Sequence, residues 1–422
     1  MRQLTNLDEV AHLFKPGSNV VLHSAAAEPP LLVAQITALS PQLKGVNLYP
    51  LMPMSEAPYT SADASQLAVR TLLAGQGLRQ AVNEGRAAAV RVRVSEIPAI
   101  YHSRQLTADV LLLQVSAPNS EGVMSLGISV DYMRAVLEQC PTVVAELNPR
   151  MPFTSGDTLL RPEQVDFFIE SAGPPLIVEA VESTPIDCQI AQHVAGLIAN
   201  GAVLQIGIGA IPDRVLGELS HLRDLGVHSG IITDSLLPLL ESGVVNNETK
   251  KEFRGRCVTP MAIGTQKFYD FLHRNPNIEF QSCALTHDFD TLKEIDGLTT
   301  INSVLQIDLA GNANAERLGR KFISSPGGLL DFARGASAAR HGCSIVALRS
   351  ASKDGRQSNI LPGLPADCPI IVTERDIDYV VTECGVARLR GLSPERRAEQ
   401  LIAIAHPDFR QDLRRSLRAP QA

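Results

Sequence analysis

Short apolar runs alternate along the chain with longer amphipathic stretches. The apolar runs have the length of strands; examples are NVVLHS, ADVLLLQVS, TVVAELN, AVLQIGIG and CSIVALRS. The amphipathic stretches have the length of helices; examples are PPLLVAQITAL, IPDRVLGELSHL and SPERRAEQLIAIA. Continuous apolar strands separated by helices are typical of a parallel sheet that is covered on both faces. The pattern therefore predicts an α/β fold with mostly parallel sheets.

The chain also repeats itself weakly. Residues 19–32 resemble residues 202–215, and residues 111–127 resemble residues 303–319. Two repeats in the same order predict two related open α/β halves whose sheets face a shared cleft; chance similarity between buried strands is the alternative explanation. Because ligands of open α/β sheets bind outside the carboxyl ends of the strands, we expect the chemistry in the loops that follow these strands.

A boundary between the halves is expected where the composition changes. The segment SAGPPLIVEAVESTPID is Pro-rich and acidic, and a new amphipathic helix begins directly after it. This predicts an N-terminal domain of residues 1–185 and a C-terminal domain of residues 186–422.

Composition and charge exclude several classes of protein. Hydrophobic residues make up 45% of the 422 residues, which argues against a largely disordered chain, and a net charge of −7 argues against a nucleic-acid-binding protein. No apolar run reaches the roughly 18 residues that cross a bilayer, and the N-terminus lacks the pattern of a signal peptide. The seven cysteines are scattered without a CxxC pair, and no HExxH motif occurs. We expect a cytoplasmic protein with free thiols and no metal.

Two glycine-containing loops are suited to an anionic ligand. The segment GIGAIPD ends a strand and opens a helix; its candidate ligand-binding residues are Gly207, Ile208, Gly209, Ala210 and Ile211. Glycines admit close approach to the backbone, and a helix N-terminus favours an anion. The segment SSPGGLLDF contains Gly327 and Gly328, whose N–H groups can face a developing oxyanion. A tight structural turn remains the alternative for both loops.

Eight ordered segments resemble the acetyl-CoA hydrolase/transferase family of class I CoA-transferases, which includes the 4-hydroxybutyrate CoA-transferases. These segments are LQIGIGAIPDRVLGEL, LGVHSGIITDSLLPLLESGVV, MAIGTQKFYDFLHRNPNIEF, INSVLQIDLAGNANAERLG, SSPGGLLDFARGA, SASKDGRQSNILP, DIDYVVTECGVARLRG and RAEQLIAIAHPDFR. The resemblance implies transfer of coenzyme A between carboxylic acids through an enzyme glutamyl-CoA thioester. Coenzyme A is then a substrate, and no permanently bound cofactor is implied. Members of this family are commonly dimers or higher assemblies, so the resemblance implies a homo-oligomer; from charge and hydropathy we expect neither a nucleic acid nor a membrane as partner.

The resemblance assigns coenzyme A-binding roles to particular residues. The loop from Gly207 to Ile211 corresponds to the anion loop, and Leu305 lies beside the catalytic strand. Gly328 belongs to the paired-glycine loop, and Lys353 of SASKDG is suited to a coenzyme A phosphate as a point charge.

Both glutamate positions of the family are occupied by other residues in this chain. The HSEMISDG motif of 4-hydroxybutyrate CoA-transferases reads HSGIITDS here, with Gly230 at the glutamate position. The alternative NxALExD motif reads NSVLQID, with Gln306 at that position. A neutral amide does not form an acyl anhydride, so either the chemistry is lost or another carboxylate performs it.

Glu56 is the candidate replacement nucleophile. It lies in MSEAPY, directly after a predicted strand, at a position where 4-hydroxybutyrate CoA-transferases do not usually have a carboxylate; a solvated loop charge is the alternative. Glu28 of AAAEP and Asp308 are expected to be structural carboxylates. The AAAEP and MSEAPY segments resemble the itaconate CoA-transferases, which implies transfer of coenzyme A from succinyl-CoA or acetyl-CoA to itaconate. Gln306 and Gly327 are then candidates for substrate binding.

Two other functions stay open on the sequence. Acyl-CoA hydrolysis uses the same early steps, with water in place of the acceptor acid. A non-catalytic acyl-CoA-binding protein is the second alternative, favoured by the loss of the glutamates at Gly230 and Gln306.

Overall fold

The computed structural model describes residues 1–418. The chain divides into two compact units. The first unit comprises Met1–Glu179 and Val258–Thr286, and the second comprises Ala180–Cys257 and the chain from His287 onward. The change of unit after Glu179 lies near the boundary expected at residue 185, whereas residues 258–286 pack with the first unit although a single cut assigns them to the second. The two-domain division at residue 185 stays a prediction.

The strands are short and spread over the whole chain. They are β1 (Arg2–Gln3), β2 (Asn19–Leu22), β3 (Val46–Tyr49), β4 (Leu67–Thr71), β5 (Ala87–Ala89), β6 (Val110–Ser116), β7 (Met124–Ser125), β8 (Val143–Asn148), β9 (Ser155–Gly156), β10 (Leu159–Leu160), β11 (Phe167–Glu170), β12 (Val203–Ile206), β13 (Gly226–Val227), β14 (Ile232–Thr233), β15 (Cys257–Thr259), β16 (Ala262–Ile263), β17 (Ile278–Phe280), β18 (Leu298–Ser303), β19 (Gln306–Asp308), β20 (Ala313–Asn314), β21 (Arg317–Leu318), β22 (Lys321–Phe322), β23 (Cys343–Ala347), β24 (Ile360–Leu361), β25 (Tyr379–Thr382) and β26 (Gly385–Arg388).

Helices alternate with these strands, as the hydrophobic pattern predicts. They are α1 (Leu7–Ala11), α2 (Pro30–Leu39), α3 (Arg79–Asn83), α4 (Ile97–His102), α5 (Met133–Leu137), α6 (Pro185–Ala195), α7 (Ala210–Gly217), α8 (Leu237–Glu241), α9 (Gln266–Leu272), α10 (Cys283–Thr286), α11 (Phe289–Lys293), α12 (Leu329–Ala338), α13 (Pro394–Ala403) and α14 (Arg410–Arg418).

The first unit is built on an eight-stranded sheet in the order β1-β11-β8-β6-β2-β3-β4-β5. Every neighbouring pair in this sheet is parallel. All seven residues of the central strand β6 are buried. A strand buried on both faces needs apolar residues at successive positions, which explains the continuous run ADVLLLQVS.

The second unit is built on a six-stranded sheet in the order β13-β12-β18-β23-β25-β26. Only the last pair, β25 and β26, is antiparallel. The prediction of an α/β fold with mostly parallel sheets is confirmed.

Five strands have the same spatial order in both units, which supports the prediction of related halves. Numbered by their order along the chain, β2, β3, β6, β8 and β11 lie in the order 5-4-3-1-2 across the first sheet. The strands β12, β13, β18, β23 and β25 lie in that same order in the second sheet. The first repeat seen in the sequence therefore falls on corresponding strands, β2 and β12.

The second sequence repeat does not fall on equivalent positions. Gln114 lies inside β6, whereas Gln306, its apparent match, lies beyond the end of β18. The pairing of β6 with β2 and of β18 with β12 instead makes Asn302 the counterpart of Gln114. Local similarity between buried strands accounts for the apparent match.

Within residues 1–418, no helix combines the length and the apolar character that a membrane-crossing segment requires. In the same described part of the chain, no group of three or more His, Cys, Asp or Glu side chains is arranged to hold a metal ion.

Candidate active site

The predicted anion loop connects β12 to α7 in the second unit. The Gly207 N–H donates to the Ile301 carbonyl at 2.9 Å, and a Cβ at Gly207 would lie only 3.2 Å from Oδ1 of Asn302. Gly209 has φ +120°, a conformation that favours glycine, and a Cβ there would meet nothing within 4 Å. The loop is therefore close-packed at its first glycine and open at its second.

Two N–H donors of this loop are already used within the chain: that of Gly207 by the Ile301 carbonyl and that of Gly209 by the Asp213 carboxylate. The Asp213 carboxylate, in the first turn of α7, accepts hydrogen bonds from the hydroxyls of Thr233 and Ser235 at 2.9 and 3.1 Å. Burial raises the pKa of Asp213, whereas these hydroxyls and the Gly209 N–H act in the opposite direction by stabilising the carboxylate. An external anion would use the other N–H groups of the loop.

The corresponding helix in the first unit has its N-terminus closed by a carboxylate. Oε2 of Glu146 accepts hydrogen bonds from the N–H groups of Leu31 and Leu32, in the first turn of α2, at 2.9 and 3.3 Å. The corresponding position on β23 of the second unit holds Val346, which supplies no such carboxylate. This contrast leaves the α7 end as the better candidate for an external anion.

Three other predicted site residues follow neighbouring strands of the second sheet. Leu305 and Gln306 come after β18, and Lys353 comes after β23, which pairs in parallel with β18. The Gly207 loop follows β12, on the other side of β18. Because these strands are parallel, the three segments leave the same edge of the sheet.

Gln306 is half-buried and retains hydrogen-bonding capacity. Its Oε1 accepts from Nδ2 of Asn314 at 3.3 Å, and within the described residues its Nε2 donates to no partner. Asp308 instead accepts from the N–H groups of Ala310, Gly311 and Asn312 at 2.8–3.1 Å. Asp308 is a structural carboxylate, as expected.

The paired glycines lie at the start of α12. Gly327 has φ +59°, and Gly328 is the N-cap residue of the helix. Lys353 is exposed, in a turn closed by a hydrogen bond from the Gly355 N–H to the Ser352 carbonyl at 2.8 Å. Its ammonium group is therefore accessible to a phosphate.

Glu56 lies in the first unit, in the loop that follows β3. It is exposed, and its carboxylate has no hydrogen bond or ion pair with any residue in the described part of the chain. The loop around it is nevertheless held firmly. The Ala57 N–H donates to Oγ of Ser55 at 3.1 Å, and a Cβ at Gly77 would lie 2.6 Å from the Ser55 carbonyl oxygen.

The buried carboxylate of Glu28 helps to hold this loop in place. It is 2% exposed, and its Oε1 accepts from the Tyr59 hydroxyl at 2.9 Å. Burial raises the pKa of Glu28 to about 7, and the hydroxyls of Ser55 and Tyr59 partly oppose this rise. Glu28 thus bonds to Tyr59, three residues after Glu56, as expected of a structural carboxylate.

The first unit also contains buried titratable groups that no sequence motif marks. His23 has Nδ1 3.0 Å from the Gln114 carbonyl and Nε2 2.8 Å from the Ser129 carbonyl, and burial lowers its pKa to about 4. Burial raises the pKa of Asp131 to about 6. His23 and Asp131 lie outside the candidate motifs, so motif spacing in the sequence does not mark them as site residues.

Other side chains occupy the space beside Gly230, the position of the family glutamate. Gly230 follows Ser229, whose Oγ lies within hydrogen-bonding distance of the N–H and carbonyl of Ile206, at 3.1 and 3.2 Å. The imidazole of His287 and the ring of Phe332 fill the space beside Gly230. No motif of the sequence marks His287.

Comparison with known proteins confirms the resemblance to the acetyl-CoA hydrolase/transferase family. The N-terminal domain of the acetyl-CoA hydrolase/transferase family matches residues 1–182, and its C-terminal domain matches residues 264–417. The 4-hydroxybutyrate coenzyme A transferase of Clostridium kluyveri is 35% identical to this chain, over 97% of this chain and 96% of the relative.

Two solved structures show the same architecture over almost the whole chain. RipA from Yersinia pestis superimposes with a TM-score of 0.91 at 28% identity, covering 99% of this chain and 97% of RipA. The 4-hydroxybutyrate CoA-transferase of Porphyromonas gingivalis superimposes with a TM-score of 0.84 at 33% identity, with the same coverage of both chains. The chain therefore belongs to the acetyl-CoA hydrolase/transferase family, and it is an enzyme of the CoA-transferase class.

Proposed function

We propose that the protein transfers coenzyme A from succinyl-CoA or acetyl-CoA to a small carboxylic acid, with itaconate as the acceptor, through a thioester on Glu56. The observation that carries this proposal is the placement of Glu56. It is an accessible carboxylate without an intramolecular partner, on a loop held by hydrogen bonds of Ser55 and Tyr59. A nucleophile needs both properties, because it must reach the thioester and must do so from a fixed position.

The proposed reaction consists of two acyl exchanges. The Glu56 carboxylate attacks the acyl-CoA carbonyl carbon, the C–S bond breaks, and a mixed anhydride and the coenzyme A thiolate form. The thiolate then attacks the glutamyl carbonyl and releases the acyl group as its carboxylate. The acceptor acid reverses these two steps and leaves as its own thioester, with the Glu56 carboxylate regenerated.

The second unit supplies the groups proposed to bind coenzyme A. The loop from Gly207 to Ile211 offers N–H donors at a helix N-terminus, and Lys353 offers an exposed positive charge. The backbone at Gly327 and Gly328 is proposed to stabilise the oxyanion that forms as each carbonyl is attacked.

Gln306 is the proposed contact for the acceptor carboxylate. Its Nε2 group is a donor without a partner in the described part of the chain, and the residue is half-buried. A dicarboxylate such as itaconate presents a second carboxylate, beyond the reacting one, that such a donor can bind. Replacement of Gln306 by alanine is expected to raise the KM for itaconate, and an unchanged turnover and KM would contradict this role.

Trapping of the thioester tests the proposal directly. The protein is incubated with acetyl-CoA or succinyl-CoA and then with borohydride, which reduces a glutamyl thioester to an alcohol and leaves free carboxylates intact. Mass spectrometry of the peptides is expected to locate the reduction at Glu56 and to find none in Glu56→Gln. The matched control is Glu121→Gln, because Glu121 is also an exposed glutamate in a loop of the first unit. Reduction at any other glutamate would refute the assignment.

Acyl-CoA hydrolysis is the alternative that one observation favours. The side chain of Glu56 is exposed, so water can reach an intermediate formed there. Release of free coenzyme A from acetyl-CoA without any acceptor acid, at a rate equal to that with itaconate, would identify a hydrolase. Tight binding of acyl-CoA with neither turnover nor trapping would identify a non-catalytic binding protein.

A further inference from the structure

Residue 230 has no room for a side chain. A Cβ placed on Gly230 would lie 2.9 Å from Nε2 of His287 and 3.0 Å from Cε2 of Phe332. Real Cβ atoms essentially never approach another heavy atom closer than 3.0 Å. Gly230, His287 and Phe332 all belong to the second unit, so this crowding is a property of one compact body.

The imidazole of His287 has little freedom to move away. A Cβ on Gly328 would lie 2.6 Å from both Cδ2 and Nε2 of His287, so the ring is also in close contact with the paired-glycine loop. On another side, the ring centroids of His287 and Phe332 are 4.7 Å apart. A side chain packed among three neighbours at interior density resists displacement, because each shift creates a new overlap.

The surroundings are also unfavourable for a carboxylate. Burial, together with the neighbouring His228, lowers the pKa of His287 to about 3, so its ring is neutral near pH 7. A neutral imidazole provides no positive charge to stabilise a carboxylate at position 230.

We propose that His287 is the residue that closes position 230 to a nucleophilic side chain. Where the family motif has a glutamate, this chain has a glycine because the imidazole occupies the space that the side chain would need. The covalent carboxylate must then come from another part of the chain. The steric closure does not depend on the proposed role of Glu56, although it explains why a relocated nucleophile is needed.

A double-mutant cycle tests the closure by thermal stability. Gly230→Ala is expected to lower the melting midpoint clearly in the wild-type background and by less than half as much in the His287→Ala background. Gly363→Ala is the matched control, because a Cβ there meets nothing within 4 Å and its φ is not in the left-handed region. Equal effects of Gly230→Ala in both backgrounds would overturn the proposal. If His287→Ala does not fold, His287→Asn replaces it in the same cycle.

Reactivity at position 230 provides a readout that a purely structural role would not change. In a Glu56→Gln background, the variants Gly230→Glu and Gly230→Glu/His287→Ala are treated with acetyl-CoA and borohydride. In the variant without the imidazole, the introduced carboxylate attacks the thioester carbon and the thiolate leaves. The thiolate then attacks the resulting anhydride at the glutamyl carbonyl, and acetate is released. Hydride reduces the enzyme thioester that remains.

The expected result is a reduced residue at position 230 only when His287 is also replaced. Reduction at position 230 with His287 present would overturn the proposal, and so would its absence from a folded variant that lacks the imidazole. Reduction at Glu56 in the wild-type protein is read from a different peptide. Failure of the Glu56 assignment and failure of the His287 assignment are therefore distinguished by the same method.

Discussion

The stability of the Glu28→Gln variant, measured relative to wild type, is expected to increase as the pH rises from 5 to 8. Glu28 is 2% exposed, its Oε1 accepts from Tyr59, and its Oε2 has no hydrogen-bond partner. The titratable group that bonds to it, Tyr59, has its own pKa raised well above the usual value by burial and stays neutral. Glutamine preserves the size of the side chain and removes its ability to ionise.

The magnitude follows from the pKa of Glu28, which burial raises from 4.5 to about 7. The native state binds a proton at Glu28 more tightly than the unfolded state does. The stability that the protonated Glu28 contributes is therefore fully present below the unfolded pKa and is lost as the pH rises through the folded pKa. At 1.36 kcal/mol for each pH unit between the two pKa values, the whole loss is about 3 kcal/mol. Between pH 5 and pH 8, the stability of Glu28→Gln relative to wild type should increase by about 2 to 3 kcal/mol.

Urea denaturation at pH 5, 6, 7 and 8 measures this change in the difference between the two proteins. Other buried groups, including His23 and Asp131, are present in both proteins, so their pH dependence cancels in the difference. Glu121→Gln, on an exposed loop, serves as the control and should differ from wild type by the same amount at every pH. A constant difference between wild type and Glu28→Gln across the four pH values would refute the reasoning.

Three further predictions concern Lys353 and Arg349 of the second unit and Glu146 of the first. Lys353→Gln should raise the KM for acyl-CoA by roughly fivefold with kcat unchanged, because it removes an exposed charge; equal KM values at low salt would contradict this. Glu146→Leu should cost about 2 kcal/mol in urea denaturation, because it leaves two N–H groups of α2 unpaired. Arg349→Met should also cost about 2 kcal/mol, because it strips the buried Asp187 of its Arg349 partner at 2.7 Å; the one-third exposure of Arg349 keeps this below the value for a fully buried pair. Unchanged midpoints would contradict the last two predictions.

The sequence by itself determined the elements and the family. A strand buried on both faces must be apolar at successive positions, so runs such as that of β6 can be recognised as strands without a structure. The ordered motifs, from the Gly207 loop to Lys353, also identified the family correctly, because such motifs are local in the chain. The absence of a glutamate at Gly230 and at Gln306 was likewise visible directly in the sequence.

Only the tertiary structure decided what surrounds these positions. His287 lies 57 residues beyond Gly230 in the chain and carries no motif, yet it fills the space beside it. The counterpart of Gln114 is Asn302 and not Gln306. Positions of the two halves are equivalent when their strands pair in the same way, and local sequence similarity does not establish this. The raised pKa of Glu28 likewise depends on burial beneath a loop that lies about 30 residues away. Periodicity reports whether a residue is buried, whereas packing between distant segments determines what it touches, and pKa and steric closure follow from those contacts.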